Sequence, residues 1–421
     1  MKDPIAYLNS LGLHRVKPGH ERITRILEFL GNPQDETPSV IIAGTNGKGS
    51  VASAISSVLV AQGYKTGLYT SPHLIEISER IKINGVDIQI DDFYRLIFSI
   101  KKASAYLKEE PSYFEVITAA AFLHFAEVDT DFSVFEVGMG GRWDATNVVH
   151  PMVSVITNIS KDHTEFLGNE ISQIAAEKSG VIKEGVPILT GAIGEAREII
   201  VKIAHQKNAP IMIMGKDFSV EGKSTKDFSY TGQDWNFDHL EFSLPGAYQL
   251  ENVSLSVAAV ESINRLNGVK IDPENLRKGL STTKWEGRLE IIRNDPPLIL
   301  DGAHNPGAAS ALRKSIQAMF PGIKFVFLIG MLADKDHENF IGEISHLAER
   351  IIITNVPSER GMNAERLEEL SRRYVKMTSI IEDSYEAFNH LKGLSFPACV
   401  TGSLYLIGAI KRAIKNHNLL L

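Results

Sequence analysis

The strongest constraint on the fold is a short glycine-rich segment that lies between an apolar run and a run of small residues. The segment reads Gly44-Thr45-Asn46-Gly47-Lys48-Gly49-Ser50. Residues 40–43 before it predict a buried strand, and residues 51–60 after it predict a helix. Glycines let a backbone approach an anion closely, and the N–H groups at the start of a helix point toward it. The arrangement therefore indicates a phosphate-binding loop in an α/β domain.

Lys48 and Ser50 are the side chains that such a loop uses. Lys48 can neutralise terminal phosphates, and the Ser50 hydroxyl can bind Mg²⁺. The match to the general P-loop pattern is imperfect, because Gly49 separates the lysine from the serine and Ile42 stands where the first glycine belongs. A glycine-rich turn without a ligand is the alternative. The joint occurrence of strand, lysine, hydroxyl and helix favours phosphate binding.

Length and charge limit the class of protein. A chain of 421 residues exceeds one ordinary core, so we expect two or more domains. The net charge of −7 argues against general nucleic-acid affinity. No signal-peptide core or membrane-length apolar run is present, so we expect a cytoplasmic protein without a membrane partner. The single cysteine, Cys399, lies in an apolar run that predicts a buried structural thiol.

Apolar runs alternate with helical segments over the first two thirds of the chain. Short helices are expected in residues 1–37, strands at 65–69, 132–137, 153–159 and 187–190, and helices at 112–125 and 170–182. Continuous Val/Ile runs separated by helices indicate a parallel sheet buried on both faces. The polar, aromatic residues 216–245 predict antiparallel hairpins, and 246–280 predict helix.

The same alternation starts again after a candidate linker at 281–294. Strands are expected at 298–300, 325–329, 351–354, 379–381 and 399–400, and helices at 308–319 and 338–347. The sequence thus predicts an α/β protein with an N-terminal P-loop ATPase-like domain built on a mostly parallel sheet, residues 1–284. A smaller C-terminal, Rossmann-like α/β domain follows, residues 285–421.

Polar residues follow several of the predicted strands. Glu136 ends one strand, Asp162 and His163 follow another, and Ser71 follows a third. Ligands bind at the carboxyl ends of parallel strands, so Glu136 is a candidate Mg²⁺ ligand and His163 a candidate metal ligand. A solvent-exposed strand end for Glu136, a structural role for His163 and turn chemistry for Ser71 are the alternatives.

Candidates in the rest of the chain are individually weaker. Lys178 ends a helix and faces either the same cleft or solvent. Asp301 and His304 lie in a second strand–loop–helix segment, and Arg288, just upstream, is placed to reach phosphates. Asp334-Lys335-Asp336 ends another strand, where ordinary surface charge is an equally good interpretation.

As a set, these segments resemble the Mur ligase superfamily, and its folylpolyglutamate synthase/dihydrofolate synthase branch in particular. They occur in the expected order over nearly the full chain. The matching segments are Gly44–Ser50, Ser71-Pro72-His73-Leu74, Phe135-Glu136-Val137-Gly138-Met139-Gly140-Gly141-Arg142, Asp162-His163, Glu177-Lys178-Ser179-Gly180, Leu244-Pro245-Gly246 with Gln249 and Asn252, and Asp301-Gly302-Ala303-His304-Asn305-Pro306. The Gly49 insertion is normal in this family.

The resemblance implies an ATP- and Mg²⁺-dependent ligase that joins L-glutamate to a reduced folate through an acyl phosphate. It implies nucleotide binding by Gly44, Thr45, Asn46, Gly47, Lys48, Gly49, Ser50, Asn252, Arg288, Asp301 and His304. It implies metal binding by Ser50, Ser71, Glu136 and His163, and catalytic roles for Lys48, Glu136, His163 and Lys178. Lys178 resembles a lysine that is carbamylated in the family. The family also suggests a monomer.

The folate side carries weaker signals. Ser112-Tyr113-Phe114-Glu115 resembles the family's pterin-side segment, although helix packing explains Phe114 equally well. The pattern around Pro72-His73 resembles a mobile loop near this site.

Three alternative functions remain open at this point. A bifunctional enzyme would also make dihydrofolate from dihydropteroate. A cell-wall Mur ligase would need a further N-terminal domain, and only 43 residues precede the phosphate-binding loop, against about 100 for a typical domain. A nucleotide-dependent switch would bind or hydrolyse ATP without ligation.

Overall fold

The first sheet contains eight strands, and its parallel strands are the apolar runs of the sequence. The computed structural model describes residues 4–12, 17–266 and 268–416. The strands are β1 (Ser39–Ala43), β2 (Thr66–Tyr69), β3 (Ile81–Ile83), β4 (Val86–Asp87), β5 (Phe132–Glu136), β6 (Val153–Ile156), β7 (Ile188–Thr190) and β8 (Ile211–Ile213). Their order is β4-β3-β2-β5-β1-β6-β7-β8. Strand β3 is antiparallel to both of its neighbours, β2 and β4, and every other pair of neighbouring strands is parallel. The mostly parallel sheet is thereby confirmed.

Helices cover both faces of this sheet, which is why its central strands β1, β5 and β6 are buried at every position. The helices are α1 (Pro4–Ser10), α2 (Glu21–Phe29), α3 (Lys48–Gln62), α4 (Ile90–Ser104), α5 (Tyr113–Glu127), α6 (Thr164–Leu167), α7 (Ile171–Lys178), α8 (Gly194–Gln206), α9 (Gln249–Asn264) and α10 (Pro273–Thr282). One core cluster joins the sheet to α4 and α5, and another joins it to α3, α9 and α10. We call this part, through α10, the first unit.

A separate three-stranded antiparallel sheet occupies the predicted hairpin region. It consists of β9 (Ser219–Ser224), β10 (Asp227–Thr231) and β11 (Asn236–Leu240). The buried Glu261 on α9 accepts hydrogen bonds from the Tyr230 hydroxyl (2.7 Å) and the Trp235 N–H (2.8 Å). This carboxylate therefore attaches the hairpins to the helical layer.

The second unit is built on a six-stranded sheet. Its strands are β12 (Glu290–Asn294), β13 (Pro297–Leu300), β14 (Phe325–Ile329), β15 (Ala348–Ile353), β16 (Thr378–Ile380) and β17 (Ala398–Thr401), in the order β12-β13-β17-β14-β15-β16. Only β12 is antiparallel to its neighbour. Its helices are α11 (Pro306–Met319), α12 (His337–Ser345), α13 (Ala364–Arg372), α14 (Ser384–Lys392) and α15 (Leu404–Asn416). Cys399 is buried in β17, as expected.

The predicted linker at 281–294 is wrong at both ends. α10 continues to Thr282, and residues 290–294 form β12, so only 283–289 lies between the units. Polar residues such as Arg293 resemble a linker, but they belong to an edge strand whose backbone pairs with β13. In the part of the chain that the structure describes, no helix is long and apolar enough to cross a membrane.

Candidate functional site

The phosphate-binding loop leaves the start of α3 open to a ligand. α3 begins at Lys48, and its N-cap residue Gly47 has φ +85° and no side chain that could cap the helix. The first N–H groups of a helix have no partner within the helix, so those of α3 are available to an anion. A Cβ atom on Gly47 would lie 2.2 Å from Asn252 Oδ1. Glycine is therefore required here by both conformation and space.

The loop after β6 holds the phosphate-binding loop in place. The Asn158 carbonyl accepts a hydrogen bond from the Thr45 N–H (2.8 Å), and Asn158 Oδ1 accepts one from the Asn46 N–H (3.0 Å). The Thr157 hydroxyl donates to the Asn46 carbonyl (2.7 Å). These bonds fix the backbone before a ligand arrives, which lowers the entropic cost of binding.

Glu136 lies at the end of β5 and is buried, so the alternative of a solvent-exposed strand end is wrong. Its Oε2 accepts a hydrogen bond from the Ser71 N–H (3.1 Å). Burial raises the pKa of Glu136, while the Lys48 charge and the Ser71 N–H oppose that rise. The strands β2 and β5 thus bring Ser71 and Glu136 together beside Lys48, as the parallel-sheet prediction requires.

Lys178 is also buried, and the alternative of a solvated helix surface is wrong. Its ammonium donates a hydrogen bond to the Gly44 carbonyl (2.7 Å). Burial, followed by repulsion from Lys48, lowers the pKa of Lys178 to about 7. The side chain therefore lies against the phosphate-binding loop and is only partly protonated at neutral pH.

The glycine-rich stretch after β5 determines where Lys178 lies. The Arg142 N–H donates to the Glu177 carbonyl (2.9 Å). A Cβ atom on Gly141 would lie 2.6 Å from the Lys178 carbonyl oxygen. The end of α7 approaches this closely only because residue 141 has no side chain.

His163 and Asp162 lie in the loop between β6 and α6. Burial lowers the pKa of the His163 imidazole to about 4 although Asp162 opposes this, so His163 is neutral at pH 7. A neutral imidazole is the form that binds metals. Within the described ranges, no group of three His, Cys, Asp or Glu side chains is arranged to hold a metal ion. Ser50 and Glu136 remain the hard oxygen donors that Mg²⁺ prefers.

The second unit contributes the loop after β13. Asp301 is buried and accepts hydrogen bonds from the Leu289 and Ala303 N–H groups, each at 2.8 Å. Burial raises the pKa of Asp301, and the Arg288 charge opposes that rise. His304 Nε2 lies 3.4 Å from Asp162 Oδ2, so the loop after β13 reaches the first unit.

Three residues near the site were not among the predicted site residues. Gln249 donates to the Ser50 hydroxyl (3.3 Å) and accepts from the Asn252 amide (2.8 Å), which joins two predicted nucleotide-binding residues. The Trp285 ring packs on Gly49, where a Cβ atom would lie 2.3 Å from Cζ2. Lys335, read as possible surface charge, forms an ion pair with Asp162 (2.6 Å). The position of Lys335 after strand β14 was the signal in the sequence that could have marked it as a site residue.

A cleft of about 830 Å³ runs between the two units. Ser71 and Glu136 line it from the first unit, Leu404 from the second, and Trp285 and Arg288 from residues 283–289 between them. A cleft of this size holds a ligand as large as a nucleotide or a pteridine.

Residues 112–115 begin α5, and their side chains serve local structure. Ser112 and Glu115 form a reciprocal capping box at the start of α5. Phe114 packs against Gly138, where a Cβ atom would lie 2.5 Å from the ring. Tyr113 lies under the Arg80 guanidinium at 5.9 Å, and Arg80 Nε donates to His73 Nδ1 (2.9 Å).

Comparison with known proteins identifies the class of this fold and site. The Mur ligase middle domain matches residues 42–260, and the Mur ligase, glutamate ligase domain matches residues 287–400. The chain belongs to the Mur ligase family.

Individual relatives fall within one branch of that family. The chain is 36% identical to the dihydrofolate synthase/folylpolyglutamate synthase of Bacillus subtilis, over 95% of this chain and 96% of that protein. The folylpolyglutamate synthase of Thermotoga maritima superposes with a TM-score of 0.86 at 39% identity, covering 98% and 97% of the two chains. The folylpolyglutamate synthase of Mycobacterium tuberculosis, complexed with ADP and AMPPCP, gives 0.90 at 30% identity, covering 98% and 99%.

Proposed function

We propose that this protein is an ATP-dependent folylpolyglutamate synthase, which adds L-glutamate to the glutamate tail of a reduced folate. The observation that carries the proposal is the placement of the phosphate-binding loop beside buried Glu136 and Lys178, directly opposite the Asp301–His304 loop of the second unit. The M. tuberculosis relative binds ADP and AMPPCP, which supports ATP as the nucleotide here.

The reaction needs two successive attacks. A carboxylate oxygen of the folate tail attacks the γ-phosphorus of ATP, so ADP leaves and an acyl phosphate forms. The amine of L-glutamate then attacks the acyl carbon, the amide bond forms with loss of a proton, and inorganic phosphate leaves. Charge develops first on phosphoryl oxygens and then on the acyl oxygen, so the protein acts chiefly by positioning and electrostatics.

Different residues would bind the phosphates, the metal ion and the rest of the nucleotide. The N–H groups at the start of α3 and the Lys48 ammonium bind the phosphate chain. Ser50 and Glu136 would hold Mg²⁺, with Ser71 and His163 as further candidates, and the ion would screen the phosphate charge. Asn252 would contact the nucleotide from α9, beside the phosphate-binding loop. Arg288, Asp301 and His304 would bind the rest of the nucleotide from the opposite wall.

Lys178 is the proposed carbamylation site. Its amine is buried against Gly44 O, and its pKa of about 7 leaves a substantial neutral fraction at pH 7. Only a neutral amine reacts with CO₂, and the resulting carbamate would place an anion next to the Lys48 ammonium. Activity that rises with added bicarbonate and falls in CO₂-free buffer is the expected result.

The preferred acceptor distinguishes the main function from its alternative. The B. subtilis relative carries both synthase names, so a bifunctional enzyme is the second candidate. We would measure phosphate release from Mg-ATP with L-glutamate, adding tetrahydrofolate in one assay and dihydropteroate in another, with product masses checked for an added glutamate. Turnover with tetrahydrofolate alone supports the dedicated synthase, turnover with both supports the bifunctional enzyme, and turnover with neither refutes the folate assignment.

A further inference from the structure

Asp162 connects the two units through three side chains of the second unit. Its Oδ1 accepts a hydrogen bond from Lys335 Nζ (2.6 Å), and its Oδ2 accepts one from Asn305 Nδ2 (3.1 Å). His304 Nε2 lies 3.4 Å from the same Oδ2. The carboxylate and the Lys335 side chain are 9% and 7% exposed, so this ion pair is removed from solvent.

The first unit holds Asp162 in a fixed relation to the phosphate-binding loop. The Thr45 hydroxyl donates to the Ser160 carbonyl (3.1 Å), and the Ser160 N–H donates back to that hydroxyl (3.0 Å). The Asn46 and Asn305 amides exchange a reciprocal pair of hydrogen bonds at 3.3 and 3.0 Å. The phosphate-binding loop is therefore tied to the second unit both directly and through the Asp162 loop.

The second unit holds Lys335 and Asn305 just as firmly. Asp334, next to Lys335, forms an ion pair with Arg360 at 2.8 Å. Asn305 is the N-cap of α11, and its Oδ1 accepts from the Ala308 N–H (2.9 Å). Lys335 and Asn305 are thus held in place within the second unit. Their contacts with Asp162 therefore fix the position of one unit relative to the other.

We propose that Asp162 is a positioning residue, which docks the second unit onto the phosphate-binding loop through Lys335, His304 and Asn305. It acts without touching the substrate. A carboxylate beside a phosphate site would repel the nucleotide if it were free, and here two basic side chains and an amide occupy its oxygens. This role rests on the proposed ligation, because ATP and the acceptor must be held between the units.

The test separates docking from direct contact with substrate. Spin labels on Cys residues introduced at Lys202 in α8 and Glu369 in α13, both exposed positions, report the distance between the units, since native Cys399 is buried. Distances are measured with AMPPCP alone, so the result does not depend on folate or glutamate. We expect Lys335→Met and Asp162→Asn each to broaden and lengthen the distribution, and Lys335→Arg to restore it.

Activity supplies the second measurement. A displacement of about 1 Å at a reaction centre lowers kcat by about 10²-fold, so Lys335→Met should show such a loss with much smaller changes in KM. Lys335→Arg should recover most of it. Arg313→Met breaks an ion pair with Glu343 (2.8 Å) inside the second unit, and this control should keep both the native distances and the native rate.

Two results would overturn the proposal. The first is a native distance distribution in Lys335→Met and Asp162→Asn with full activity, which would show that the contacts are dispensable. The second is a native distribution with lost activity, which would place these side chains on the substrate. Since Lys335→Arg keeps the charge, recovery in this variant would attribute the loss in Lys335→Met to the missing ion pair with Asp162.

Discussion

Gly141 lies so close to the end of α7 that one added methyl group tests whether the position of Lys178 controls activity. In Gly141→Ala, the Cβ atom would start 2.6 Å from the Lys178 carbonyl oxygen and 3.0 Å from Lys178 Cα. Ordinary Cβ contacts begin near 3.4 Å, so the backbone around Lys178 must move by about 0.8 Å. No side-chain rotation relieves this contact, because the three nearest atoms, which belong to Glu177 and Lys178, are all backbone.

The size of the expected effect follows from that displacement. Overpacking a close contact costs about 1–3 kcal/mol of unfolding free energy. The shift also carries Lys178 Nζ away from the Gly44 carbonyl, so we expect kcat for glutamate addition to fall by about 10²-fold. The assay is initial-rate phosphate release with tetrahydrofolate, together with a thermal unfolding midpoint.

Gly342→Ala is the matched control. Gly342 lies inside α12, and a Cβ atom there would meet its nearest neighbour, in Tyr374, at 3.6 Å. Replacing an interior helical glycine stabilises a helix by about 1 kcal/mol, so the midpoint should rise and the rate should stay unchanged. A native rate and a native midpoint in Gly141→Ala would refute the argument that close backbone approach positions Lys178.

The other predictions concern the same site. Glu136→Gln keeps an oxygen for the Ser71 N–H but removes the charge, so ligation should be lost. Burial raises the pKa of Glu136 in the folded protein, so the Glu136 contribution to the free energy of unfolding decreases as pH rises above 4.5. In urea unfolding, the variant should lack that decrease. Native-like ligation by this variant would rule out a catalytic role. Between about pH 7 and pH 10.5 in CO₂-free buffer, the unfolded Lys178 amine binds a proton and the folded amine does not, so the native free energy of unfolding should increase with pH. Lys178→Met should lack this increase. An unchanged pH profile would contradict the burial of the amine. Gly47→Ala should weaken AMPPCP binding by at least about tenfold in calorimetry, because its Cβ atom meets Asn252. Gly63→Ala is the control: it is also at positive φ but has open space around it, and it should bind AMPPCP normally. Equal affinities of the two variants would contradict the role of the Gly47–Asn252 contact.

Sequence reasoning succeeded where the pattern was local and strong. The strands β1, β5 and β14 are mostly apolar and are buried along their whole length, because both faces of a parallel sheet are buried. Polar residues at the carboxyl ends of such strands share one edge, so the meeting of Ser71 and Glu136 followed from the strand assignment.

The features that were missed depend on contacts between distant segments. Nothing local distinguishes the edge strand β12 from a polar linker, since its pairing with β13 is what makes it a strand. Lys335 resembles surface charge until the second unit docks and buries it against Asp162. The packing of Trp285 on Gly49 likewise exists only in the folded chain, because more than 230 residues separate the two positions.

The central claim is that ATP activates a carboxylate of the folate tail for attack by glutamate. The most direct test uses a folate acceptor whose terminal carboxylate carries a heavy oxygen isotope, incubated with Mg-ATP and L-glutamate. An acyl phosphate transfers one carboxylate oxygen to the phosphate that leaves, so mass spectrometry should find the label in inorganic phosphate in step with amide formation. Phosphate that forms without the label, or that forms at the same rate without acceptor, would contradict the account.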